Sequence, residues 1–234
     1  AKRLRMAAAE IFGHTKMLNF TVVGFAHWFV MVGFFALFGT LVTAYGQLIN
    51  PTFALPIIGH FWVYEYITEL VAWSTGIGIV ALIGIRQVTR LRNKRSRFAG
   101  SGMGKAYYVE FTIVLIVFCV IALRGLEGAL SDETAWNRHY ITTWFIADMF
   151  KSMTLSEITS WIQIVATIKI VGSMTWFIVI ATNFTMGIAW HRFLAPFNIF
   201  FRRNADGKSS LGALPVMMSH GQDINFEDPK EDDV

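Results

Sequence analysis

Between Lys16 and Glu65 the chain carries no Asp, Glu, Lys or Arg. A charge-free stretch of that length belongs in a bilayer, where a helix of roughly 20 apolar residues crosses the hydrocarbon. Residues 17–45 are ample for one crossing, and Asn50-Pro51 and Leu55-Pro56 then mark a connecting loop. Further spans are expected at 65–85, 106–123 and 160–190. The first is too long to be the apolar core of a signal peptide. Residues 140–150 are apolar but too short to cross and contain Asp148, so an interfacial helix or a packed loop is expected there. Composition agrees: 54% of the 234 residues are hydrophobic and 15% charged, with mean hydropathy +0.49, where soluble domains carry about a quarter charged residues. The expected fold is an all-α integral membrane bundle with four transmembrane helices. A fifth could precede residue 1, since the chain opens on Ala1 rather than Met.

Basic residues set the orientation. The loop between the second and third spans holds Arg86, Arg90, Arg92, Lys94, Arg95, Arg97 and Lys105 with no acid among them. Lys2, Arg3, Arg5 and Lys16 precede the first span; Arg192, Arg202, Arg203 and Lys208 follow the last. Four spans put these regions on one side, and the positive-inside rule makes that side cytoplasmic. The location expected is the cell membrane, with loops 46–64 and 126–159 outside. Residues 1–203 then form the transmembrane domain. Residues 204–234, ending in Glu227, Asp228, Glu231, Asp232 and Asp233, read as a cytoplasmic linker or a plain disordered terminus. The basic residues cluster where a membrane protein needs them, so the net charge of +4 is no nucleic-acid footprint. A lone Cys119 supports neither a disulfide framework nor an iron–sulfur cluster.

Polar residues inside hydrocarbon are expensive and mark function. His27 lies about ten residues into the first span, roughly 15 Å deep at 1.5 Å per residue. It is either a satisfied core histidine or a ligand to a metal or haem iron. Gly24 and Gly33 flank it and admit a neighbouring helix or a flat macrocycle. His191 closes the fourth span, as a ligand or as a histidine favoured at a helix C-terminus. His14 sits at the inner boundary of the first span. His60 and His139 read as solvated loop histidines, and His220 carries no signal. Glu65 and Glu69 share a helix face, and Lys169 lies at a similar depth. Glu69 and Lys169 are read as an interhelical ion pair or as the proton and carbonyl partners of a quinone. Arg124 either snorkels or holds a haem propionate.

The run Phe12-Gly13-His14-Thr15-Lys16-Met17-Leu18, then Gly24-Phe25-Ala26-His27 and Gly33-Phe34, resembles the first core helix of the cytochrome b membrane domain of nitrate reductase gamma subunits. Residues 186–193, Met-Gly-Ile-Ala-Trp-His-Arg-Phe, with Pro196, Asn198, Ile199 and Phe200, match its ending. The nearer likeness is to the version fused to cysteine-rich iron–sulfur reductases, especially the actinobacterial membrane-bound dehydrogenases that pass electrons from electron-transfer flavoprotein to menaquinone. The resemblance implies haem b, one or two unless lost, with axial ligands His27 and His191. It also implies a menaquinone site, and iron–sulfur clusters on a partner or on a further C-terminal domain. Where the family often has a histidine midway along its last helix, this chain has Lys169 to Met174 without one. By depth, His27 sits mid-bilayer and His191 at the inner edge, so each is expected to need its own partner, with Met174 and His14 as candidates. The expected function is electron transfer to menaquinone from a cytoplasmic iron–sulfur or flavoprotein donor; the alternative is a non-catalytic anchor for a soluble reductase. A transporter would favour internal repeats and broken helices, and the sequence suggests neither.

Overall fold

The computed structural model describes residues 2–93, 102–202, 217–219 and 222–223. The chain divides into two compact units, one of His14–Leu194 and one of Ala1–Gly13 with Ala195–Val234.

In the larger unit, a 3-10 turn at Met17–Phe20 leads into α2 (Val22–Ala36) and α3 (Phe38–Ile49). Then come α4 (Trp62–Asn93), α5 (Met103–Leu130), the short α6 (Trp144–Phe150), α7 (Leu155–Thr182) and the start of α8 (Gly187–Phe200). Here α2 packs on α4, α4 on α5, α5 on α6 and α7, and α3 on α7. Three helices, Trp62–Arg92, Met103–Leu130 and Leu155–Thr182, are long and apolar enough to cross a membrane. The pair α2 and α3 makes a fourth if its 42° bend is part of one span. Phe25, Ile77, Phe111, Phe118, Val171 and Ile178 expose more than half their surface outward, as side chains facing lipid do.

Two expected spans are not single helices. The first starts only at Val22 and breaks at Leu37, so a broken helix is present after all. At the break the Leu37 N–H returns to Gly33 O, and the Thr40 N–H and hydroxyl both turn back to Leu37 O. The Lys169 ammonium donates to Thr40 O at 2.8 Å. The expected 160–190 helix begins earlier and ends earlier. Thr154 and Glu157 form a capping box that starts α7 at Leu155. At the other end the Asn183 amide turns back to Val179 O. The Trp190 indole N–H also donates to Ile180 O and Asn183 O, which already accept the Asn183 and Met186 backbone N–H groups. His191 therefore lies on a separate helix. The short α6 fulfils the expectation for 140–150: Ala147 is buried, and Gly125 and Gly128 bring α5 close to Ile146 and Ala147.

One core lies between α3, α5 and α7, around Leu41, Cys119, Leu123, Ile162 and Ala166. A second gathers Val109, Trp176, Ile180, Met186 and Ala189. A Cβ at Gly33 would strike the Thr75 side chain, so this glycine seats α2 on α4. Gly33→Leu is expected to destabilise the protein by about 1–3 kcal/mol through overpacking. Gly104→Leu, where a Cβ meets nothing within 4 Å, is the control. Heat resistance of the two variants in detergent checks this; equal stability would mean that the α2–α4 contact is not tight.

In the smaller unit, α1 (Lys2–Gly13) carries Glu10, whose carboxylate takes both Arg202 nitrogens at 2.8 and 2.7 Å. The Arg3 guanidinium donates to Phe200 O at 2.9 Å. Met218–Ser219 and Gln222–Asp223 pair as a two-residue antiparallel ladder, which a plain linker does not require. Lys94, Arg95, Arg97, Arg203, Lys208, His220 and the acidic end lie outside the described residues.

Candidate functional site

Two of the polar clusters in the larger unit bear on function. The first is histidine. The turn after α1 places His14 at φ 48° and Thr21 at φ 45°, left-handed conformations that cost non-glycine residues energy and persist where the surroundings hold them. Gly24 permits this, because a Cβ there would strike the Met17 carbonyl. The folded-back turn sets His14 Nε2 3.1 Å from His27 Nδ1. His191 comes to the same place, its ring centre 6.0 Å from that of His27 at an interplanar angle of 48°.

His27 follows Ala26 on α2, beside the middle of α4. Gly78 approaches the Ala26 carbonyl, nearly midway between Glu69 and Arg86 on α4. His191 differs from expectation. On an unbroken helix it would stand fifteen residues beyond Trp176, roughly 22 Å away. The break at Asn183 instead brings Phe193 to 6.5 Å from Trp176 and Arg192 to 5.0 Å from the same ring and 4.5 Å from Phe34. The expectation of separate haem depths for His27 and His191 is therefore overturned. Gly24 and Gly33 admit chain neighbours, not a macrocycle. Met174 packs against the core around Leu41, Cys119 and Ile170. Among the described residues, no three His, Cys, Asp or Glu side chains are set out as a metal-ion cage. The donor set is three imidazoles, with the His27 ring centre 5.3 Å from that of His14 and 6.0 Å from that of His191.

The second cluster surrounds Arg124, which is buried. Its guanidinium meets Glu69 at 3.2 Å, Glu127 at 2.8 Å and Glu65 at 3.6 Å, and also donates to the His139 carbonyl. Glu69 is saturated. It accepts from the Thr142 N–H at 2.8 Å, the Thr142 hydroxyl at 2.6 Å and the Thr143 hydroxyl at 2.7 Å. It thus fastens the 139–143 loop onto α4. The pairing of Glu69 with Lys169 is not made: the ammonium goes to Thr40 O at 2.8 Å and its hydroxyl at 2.7 Å. Arg124 neither snorkels nor stays free for a propionate, since three carboxylates hold it. His139, read as a solvated histidine, has Nδ1 2.6 Å from Glu65 Oε2. Burial and the nearby Glu127 carboxylate push the Tyr140 phenol up to about 12, so it stays protonated beside Arg124.

Against this cluster lies a cavity of about 120 Å³, lined by Thr43, Gln47, Tyr64, Glu65, Glu127 and Lys169 among others. His60 and Ser131, both exposed, stand at its rim. With Gly78 level with Ala26, Glu65 is thirteen residues further along α4. The cavity and the histidines are thus roughly 20 Å apart.

Sequence reasoning missed Glu127, Gln47, His139 and Arg192. The i, i+4 pair Glu65 and Glu69 signals a need for nearby cations, which Arg124 and His139 meet. Arg192 was visible only as the neighbour of His191. It has no carboxylate partner among the described residues. Set against protein-family models, curated proteins and solved structures, the chain matches none.

Proposed function

We propose that this chain is the membrane electron-transfer subunit of a quinone-reducing oxidoreductase, with one b haem held between His27 and His191. The observation that carries the reading is the 6.0 Å between their ring centres. A metal bonded to both imidazoles at about 2.0–2.1 Å, with half a ring added at each end, would put the two ring centres roughly 6 Å apart. The donor set therefore fits the group. His14 engages His27 Nδ1, which leaves Nε2 as the ligating atom and fixes the ring, as partners behind metal-bound histidines do. Arg192, stacked on Phe34 and Trp176, is the cation available to an acidic edge substituent such as a propionate. Haem, when bound, would supply reversible one-electron chemistry.

The rest of the reading comes from the resemblance and the charge pattern. The bent pair α2–α3 counts as one of four spans of a cell-membrane protein, and the basic regions face the cytoplasm. An iron–sulfur module, fed by electron-transfer flavoprotein, delivers electrons there, and menaquinone receives them. A reduced-minus-oxidised spectrum of the purified protein decides against the non-catalytic anchor: a haem b band is expected, and its absence favours the anchor. For topology, cysteines at Ser96 and Ser131 are expected to react with a membrane-impermeant thiol reagent from opposite sides. Equal labelling from one side removes the four-span arrangement.

A further inference from the structure

The Lys169 ammonium is almost entirely buried. Thr40 O and Oγ1 take two of its three N–H groups, and the cavity lies against it. A second observation marks this cavity as built for polar contents. Gln47 is 1% exposed, donates its amide N–H to Glu127 Oε1 at 2.6 Å, and leaves its own Oε1 buried without a hydrogen-bond partner. A buried acceptor of this kind calls for water. A site needs only about 10–15 Å³ of such volume per water, so one of about 120 Å³ holds several. Glu65 lines the cavity and joins it to His139, which is itself outside the lining, one-third exposed and bonded to Glu65, whose other neighbour is Arg124.

We propose that this cavity is a water-filled proton inlet, running from His139 and Glu65 at the loop end to the Lys169 ammonium. The proposal rests on the quinone-reducing function, in which one quinone takes two electrons from the reduced iron–sulfur donor and two protons to become quinol. Those protons come from the face opposite the histidine cluster. Lys169 gives a proton to a quinone oxygen, and cavity water, recharged through His139 and Glu65, returns it. The groups around His139 and Glu65 are Glu69 on α4, Arg124 and Glu127 on α5, and Tyr140 in the loop. Around Lys169 they are Thr40, Cys119 and Glu127. Glu69, saturated by Thr142, Thr143 and Arg124, is outside the path.

The first test needs no turnover. In a Cys119→Ala background, Thr43→Cys in the cavity is expected to react with a small cationic thiosulfonate added at the loop side of sealed vesicles. Ser131→Cys at the rim reacts too, whereas Ile178→Cys on the lipid face does not. Thr43→Cys left unreacted while Ser131→Cys reacts overturns the inlet. The second test is turnover with a water-soluble menaquinone analogue. Lys169→Met is expected to slow quinol formation by roughly 100-fold, the usual share of a positioned proton donor, with the haem band unchanged. His139→Gln is expected to slow it less and to alter its dependence on loop-side pH but not on the pH of the opposite side. Normal turnover in Lys169→Met overturns the proton role. Parent protein with no haem band or no turnover fails the quinone-reducing function instead, and the labelling still decides whether water reaches the cavity.

Discussion

Replacing either His27 or His191 with alanine is expected to abolish the same haem b band, and the double replacement to remove nothing further. The two ring centres lie 6.0 Å apart, so a single iron held by both would lose one of its ligands in either variant. Separate haems would behave differently, each variant keeping the band of the other haem and only the double variant losing both. His14→Ala should retain the band but weaken haem retention by roughly 10–100-fold, the usual cost of removing a partner behind a ligating histidine. His60→Ala is the neutral control. His139→Ala is not, because His139 is bonded to Glu65. Haem-to-protein ratios and reduced-minus-oxidised spectra measure all five variants. A half-sized band in either single variant would show that the histidines serve different irons.

The spans were legible because hydrocarbon imposes a length and a charge rule on sequence, and that rule is independent of which helix packs where. The breaks were not, because they depend on partners distant in sequence. Just past the first break the Thr40 N–H and hydroxyl turn back to Leu37 O, and the Lys169 ammonium, 129 positions away, holds the Thr40 carbonyl. At the end of α7 the Asn183 N–H turns back to Ile180 O, the Met186 N–H to Asn183 O, and the Trp190 indole bridges both carbonyls from the next helix. Counting 1.5 Å per residue holds only along an unbroken axis, so the separation counted between His27 and His191 is overturned by the break before α8. The choice of partner for Glu69 failed for a related reason. A depth read from sequence is uncertain by about one helical turn, 5.4 Å, whereas an ion pair is decided within 4 Å. Both Arg124 and Lys169 were within that uncertainty, and only packing distinguishes them.

Glu69→Ala is expected to cost about 3–5 kcal/mol of stability, the range for breaking a buried ion pair by removing one partner. The carboxylate is almost wholly buried and binds Arg124, the Thr142 N–H and two hydroxyls. Its loss strands those donors and loosens the 139–143 loop. At roughly 2–4 °C per kcal/mol for a chain of this length, detergent-solubilised protein should lose its monodisperse peak on the order of 10 °C earlier. Glu69→Gln should cost less, since the amide oxygen still accepts from Thr142 while the negative charge opposite Arg124 is lost. Lys169→Met should not rescue Glu69→Gln, because the ammonium is bonded to Thr40 and residues without shared partners contribute additively. Recovery of stability in that double variant would mean that Glu69 and Lys169 do pair and that Arg124 is not the cation Glu69 depends on. Additive losses, with haem content unchanged throughout, would fix Glu69 as the residue that holds the loop while Lys169 acts separately.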